Sequence, residues 1–163
     1  MSVGRLVWPR ALRQHYPAHM RIKDVLAAKK VGTVVTIEPQ ASVRDLLHLL
    51  VEHNIGAVVV SPDGTQVTGM VSERDVVRRI AEGPDALAAT VDTIMSTDVA
   101  VCDPGDSLDD LMRLMTLRRI RHVPVVQDAQ LRGLVSIGDA VKTRIGELEF
   151  ERDQLNQYVS GAQ

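Results

Sequence analysis

Gly69-Met70-Val71-Ser72-Glu73-Arg74-Asp75-Val76-Val77 and Gly133-Leu134-Val135-Ser136-Ile137-Gly138-Asp139-Ala140-Val141 are one pattern written twice. In each copy a glycine precedes an apolar pair, a serine follows, and an aspartate comes before a second apolar pair. The apolar pair reads as the end of a strand, and Ser-x-x-Asp reads as the start of a helix. Each copy therefore marks a strand-to-helix junction.

Upstream the duplication continues. Pro39-x-x-Ser42-Val43-x-Asp45-Leu46-Leu47 answers Pro104-x-x-Ser107-Leu108-x-Asp110-Leu111-Met112. The register holds through Leu49/Leu114, Leu50/Met115, Ile55/Ile120, Val58/Val123 and Val60/Val125, and one residue is lost in the turn before the glycine. Further up, Asp24-Val25-Leu26 is matched with Asp92-Thr93-Ile94, with a longer connection in the first copy. An internal repeat of this length outweighs any single motif.

Both copies predict the order β-α-β-β-α. Val34 to Ile37 and Val99 to Cys102 are short extended pieces. Val43, Leu46, Leu47 and Leu50 recur at helical spacing, as do Leu108, Leu111, Met112 and Met115. Two strands follow. In the first copy, Ala57–Val60 and Val67–Val71 flank Ser61-Pro62-Asp63-Gly64, where proline fixes φ and glycine permits a positive φ. In the second, His122–Val126 and Leu131–Val135 flank a polar turn, Gln127–Gln130. A further helix starts near Glu73 and near Ile137. One unit alone is marginal for burying a core. Two units packed sheet to sheet about a pseudo-two-fold axis would close the open face. The expected boundaries are an N-terminal arm 1–21, repeats 22–81 and 92–146, a linker 82–91, and a C-terminal helical extension 147–163.

These residues resemble the CBS (cystathionine-beta-synthase-type) domain, and the tandem resembles a stand-alone Bateman module. Ile120-Arg121-His122-Val123-Pro124-Val125-Val126 is close to the family's second-strand pattern. The first copy departs from it, with Ile55-Gly56-Ala57-Val58-Val59-Val60 and no proline. The resemblance implies an α/β fold that binds an adenine nucleotide as a regulatory ligand and requires no cofactor. AMP comes first, then ATP, ADP, NAD or an S-adenosyl compound. It implies that Asp75 and Asp139 meet ribose hydroxyls, that Ser72 and Ser136 approach phosphate, and that Thr36, Ile55–Ala57 (through Gly56) and Ile120–His122 line the base slot. Arg74, Arg119 and Arg121 are the candidate phosphate contacts.

A purely structural reading of the same residues stands beside this one. Ser-x-x-Asp also caps helices, and Ser42-x-x-Asp45 and Ser107-x-x-Asp110 are expected to do only that. The two functional readings are thus a nucleotide sensor and a ligand-free interaction dimer. No nucleophile–base pair, Walker-type loop or Gly-x-Gly-x-x-Gly appears, so no enzyme is expected.

Composition agrees with a small packed module. The 163 residues are 45% hydrophobic and only 2% aromatic, so Val, Ile, Leu, Ala and Met must build the core. Met70, Met95, Met112 and Met115 read as core or interface filler. A net charge of −2 points away from nucleic acid and anionic membranes. Ala57–Val60 is far too short to span a bilayer. Cys102 is the only cysteine, which fits a reducing, cytoplasmic setting and predicts an inert strand thiol. The basic start, with Arg5, Arg10, Arg13, Arg21 and Lys23 before the first acidic residue Asp24, is read as an arm rather than a transit peptide, since Pro9 and Pro17 interrupt it. His15 and His19 flank Pro17, so no metal site is assigned; His48 and His53 read as solvated.

From Ile137 to Val159 no proline intervenes, and Val141, Ile145, Leu148, Leu155 and Val159 form a broken apolar stripe. A helix this long either folds back on its own domain or pairs with a second chain. Pairing is the expectation, giving a homodimer, with Arg152 reaching Glu149 or Glu151 across the pair.

Overall fold

The computed structural model describes residues 20–29 and 33–160. The histidine pair His15/His19 and nearly all of the N-terminal arm lie outside them. In chain order the elements are α1 (Ile22–Ala28), β1 (Thr36–Ile37), α2 (Val43–His53), β2 (Ala57–Val60), β3 (Gly69–Ser72), α3 (Glu73–Glu82), α4 (Leu108–Arg118), β4 (His122–Gln127), β5 (Gln130–Ser136) and α5 (Ile137–Ser160). Two short 3-10 turns, Pro84–Ala88 and Val91–Thr93, carry the chain between the repeats. This is a mixed α/β fold: the first copy shows the predicted β-α-β-β-α order, and the second keeps α-β-β-α without a full leading strand.

The first sheet runs β1-β2-β3, with β1 parallel to β2 and β3 antiparallel. In the second copy β4 and β5 form an antiparallel hairpin. The expected strand at Val99–Cys102 shrinks to one parallel bridge, Cys102 with Val125. The predicted third strand at Val67–Val71 starts later, at Gly69. The β4–β5 turn is Asp128-Ala129, and both residues have positive φ, 52° and 62°. That is the geometry that matches the twist of a two-residue hairpin, at the expense of a left-handed alanine.

β2 is buried along its whole length. Val58 and Val60 belong to the first core, under α2 and α3. Ala57 and Val59 point to the other face and are equally buried. Pro124 and Val126 repeat this behaviour in β4, while Val123 and Val125 belong to the second core. The second face of each strand is where the repeats close on each other, and the Leu131 amide donates to the Thr65 carbonyl at 2.7 Å across that junction.

Each core takes its lid from the other repeat. Ile22 and Val25 of α1 are buried with Leu108, Leu111 and Val135 of the second copy. Val91 is buried with Val43, Leu46 and Val71 of the first. The hydrogen bonds make the relation explicit. Ile22 and Lys23 donate to the carbonyls of Asp106 and Pro104 at 3.0 and 2.9 Å, and Val91 and Asp92 donate to Ala41 and Pro39 at 2.9 Å each. Ile22 therefore answers Val91 and Leu26 answers Met95, one position away from the match of Asp24 with Asp92 expected from the sequence. Two tight packings confirm it: a Cβ on Gly133 would lie 2.6 Å from Leu26 Cδ2, and one on Gly69 would lie 2.5 Å from Met95 Sδ.

α5 runs as far as predicted, but it does not fold back. Residues 149–160 are all exposed, among them Phe150, Leu155, Tyr158 and Val159. Arg152 pairs with Asp153 on its own helix, at 2.8 Å.

Candidate functional site

Both serine–aspartate pairs cap their helices. The Ser72 amide and hydroxyl donate to Asp75 Oδ2 at 2.8 and 2.6 Å. The Ser136 amide and hydroxyl donate to Asp139 Oδ2 at 2.9 and 2.8 Å, and the Asp139 amide donates back to Ser136 Oγ at 3.1 Å. The same cap opens α2 at Ser42 and Asp45. Ser107 starts α4 without a side-chain cap. Capping is thus real at both candidate aspartates, and it uses Oδ2 alone. Oδ1 of each takes no hydrogen bond among the described residues.

A cleft of about 550 Å³ opens between the repeats, a size within the roughly 300–1,000 Å³ of small-molecule sites. It is composite. Ile55, Gly56 and Ala57 enter it from the first copy, at the edge where β2 begins; His122 and Ser136 enter from the second, at the matching ends of β4 and β5. Gly56 leaves room where its counterpart carries a long side chain: the Gly56 carbonyl accepts from the Glu73 amide as the Arg121 carbonyl accepts from Ile137. Thr36 is half-buried beside the cleft, with Oγ1 3.9 Å from where Gly64, a lining residue, would carry a Cβ. Thr36, Ser72, Arg74, Asp75, Arg119, Ile120, Arg121 and Asp139 do not line it; Asp139 stands behind the wall, bonded to the lining residues Lys29 and Ser136. Arg74, Arg119 and Arg121 are exposed, and Arg119 sits in a left-handed conformation ending α4.

Two cations that line the cleft carry no signal in the repeat pattern. Arg132 falls at an irregularity in the hairpin: Val125 pairs with Gly133 and Val126 with Leu131, which leaves Arg132 unpaired between them. Such a bulge re-aims a side chain. Lys29, at the end of α1, donates to Asp139 Oδ2 at 2.6 Å and to the Leu134 carbonyl at 3.0 Å. Partial burial works to raise the Asp139 carboxyl, but the bonds from Lys29 and Ser136 outweigh it and hold its pKa below the ordinary value. Burial, and then the Lys29 charge, push the His122 pKa down, against the pull of Asp139. That ring is therefore neutral near pH 7. Burial pushes the Cys102 thiol up to about 12, as an inert strand thiol requires. No group of three or more potential metal ligands occurs among the described residues.

The duplicated fold and the shared cleft define a paired α/β module whose central cleft is assembled from both halves. The chain belongs to the CBS-domain family: the family model "CBS domain" matches residues 22–82 and 91–146, two copies in tandem. A CBS domain-containing protein of Arabidopsis thaliana, CBSX3, mitochondrial, is 34% identical over 148 residues, 86% of this chain and 72% of the relative. The crystal structure of the CBS-domain containing protein ATU1752 from Agrobacterium tumefaciens is 40% identical, with a TM-score of 0.70 over 76% of this chain and 98% of that one. A more distant likeness, of fold alone, is the CBS domain pair of protein MJ0100 in complex with 5′-methylthioadenosine and S-adenosyl-L-methionine, 21% identical with a TM-score of 0.69 over 80% of this chain and 99% of that one.

Proposed function

We propose that this chain is a regulatory module that binds an adenine nucleotide, AMP before ATP, ADP, NAD or S-adenosyl ligands, and passes its occupancy on through conformational or dimer changes. The composite cleft carries this reading. The peptide groups of Ile55–Ala57 offer donors and acceptors to a base edge. The free Oδ1 of Asp139 offers an acceptor to ribose hydroxyls. Lys29 and Arg132 offer positive charge to phosphate. Thr36 is kept with Ile55–Ala57 at the base slot, and Asp75 with Ser72, Arg74 and the Arg119–Arg121 segment is assigned to a second site around the other cap. The adenosine ligands of the MJ0100 pair belong to that protein; what they lend here is a ligand class that this fold accommodates.

The competing reading is a ligand-free interaction dimer. It draws on the capping role of both aspartates and on the apolar side chains left in solvent: Val77 and Ile80 on α3, Leu117 on α4, and Ile145, Phe150 and Leu155 on α5. We infer a homodimer under either reading, since so much exposed apolar surface is a liability in a monomer. The cytoplasmic setting and the repeat boundaries 22–81 and 92–146 remain part of the same proposal.

A thermal-shift panel separates the readings. A ligand at a hundred times its Kd adds about 2.7 kcal/mol of stability. AMP is expected to raise the melting temperature and GMP to do so far less. A flat response to every adenine compound at millimolar concentration would leave only the interaction dimer.

A further inference from the structure

The geometry points to Lys29 as the residue that makes the inter-repeat cleft select a phosphate-bearing ligand over an uncharged nucleoside. This inference rests on the nucleotide-binding reading and names its charge determinant.

A lysine ammonium has three donors and no acceptor. Two of the three are accounted for, by the Leu134 carbonyl and Asp139 Oδ2. The third has no partner among the described residues, and Lys29 lines the cleft. Because the two bonds fix the ammonium in place, it meets an anion with little further loss of side-chain freedom. Holding Lys29 on Oδ2 also leaves Oδ1 for a ribose, so one carboxylate positions the cation and receives the sugar at once.

The surrounding charges favour an anion. Arg132 is a second cation on the cleft wall. The Asp139 charge is already paired with Lys29. Glu73 is the carboxylate beside Gly56, with Oε2 3.7 Å from the glycine's would-be Cβ, and its charge, like that of Lys29, is felt at His122. The duplicated position has no such device. The stretch equivalent to α1 and its continuation, Val91 to Val99, contains no lysine or arginine, so Asp75 lacks a lysine supplied from the other repeat's leading segment. Phosphate selection through a cross-repeat lysine is therefore a property of the Asp139 side alone.

The test is isothermal calorimetry on the full chain with AMP and with adenosine, for the unmodified protein, Lys29→Met and Lys29→Arg. A charge-assisted hydrogen bond predicts that the unmodified chain prefers AMP by about tenfold or more. Lys29→Met should bring that ratio close to one while adenosine affinity changes little, and Lys29→Arg should restore most of it. Rising salt should weaken AMP binding to the unmodified chain and leave adenosine binding nearly unchanged, a readout that needs no variant to fold. An unaltered AMP-to-adenosine ratio in a folded Lys29→Met, or equal affinities in the unmodified chain, overturns the role of Lys29 while leaving nucleotide binding intact. Binding of neither compound overturns both.

Discussion

Ile22 and Val91 occupy the same place in the two repeats, yet each serves the other repeat's core. Their amides donate to Asp106 and Ala41 in equivalent turns, and both side chains are fully buried. The leading segments are exchanged, so the two halves are tied together at both ends of the pseudo-symmetric arrangement.

Ile22→Ala tests how much this exchange contributes. An isoleucine truncated to alanine in a closed core costs about 2–5 kcal/mol. Urea denaturation should show a loss of that size, and the change should destabilise the second core (Leu108, Leu111, Val135), although the mutation lies in the first repeat's sequence. A loss below about 0.5 kcal/mol would mean that α1 is not part of that core in solution.

Gly133→Ala probes the contact between α1 and β5. The new methyl would meet Leu26 Cδ2 and Cδ1 at 2.6 and 2.9 Å. Overpacking of this kind costs about 1–3 kcal/mol. Because Leu26 also lines the cleft, its displacement should weaken ligand binding as well. Shortening the leucine in the double variant Leu26→Ala/Gly133→Ala should cost less than the two single losses added together. Simple additivity in thermal melts would locate the strain elsewhere.

Asp63 gives a pH prediction. Bonds from the amides of Gln66 and Thr65 pull its carboxyl from 3.8 down to about 2. A folded-state value below the unfolded one contributes stability that is present above the unfolded pKa and lost as pH falls through the folded one. The contribution of this turn is therefore intact at neutral pH and disappears between about pH 4 and pH 2. Carboxyl NMR should place the Asp63 midpoint near 2. In Asp63→Asn, stability should fall less steeply across that interval, and an unchanged slope would contradict the turn's ionic character.

Truncation after Gly146 tests the helix as a dimer element. If the exposed stripe of α5 pairs two chains, light scattering should show a shift toward monomer while the fold and nucleotide binding persist. A truncated chain that stays fully dimeric would assign the interface to the exposed faces of α3 and α4 instead.

The sequence made the duplication, the element order and the length of α5 readable, because each rests on spacing. It misplaced the leading segment by one residue because Asp24 and Asp92 match by letter, whereas the buried positions that decide the register are Ile22 and Val91. Of the residues that line the cleft, Ile55–Ala57, His122 and Ser136 were found from the motif. Lys29 and Arg132 were not. Arg132 reaches the cleft through a hairpin irregularity that leaves no mark in composition, and Lys29 meets Asp139 only because α1 crosses to the other repeat. Pattern matching reads what the copies share, and these two cations belong to what they do not.

The crossing of α1 also sets an order of events during synthesis. The first core can close once the ribosome has released Met95, since everything it needs, including Val91, lies before that point. α1 emerges much earlier but finds its partners, among them Leu108 and Val135, only when the second half is nearly finished. In the interval its apolar face, with Ile22, Val25 and Leu26, is a short unsheltered segment on a nascent chain. The pair therefore matures as a unit that is completed backwards: the first helix in the chain is the last to be covered, and a copy of the second repeat cut out on its own would lack the piece that finishes it.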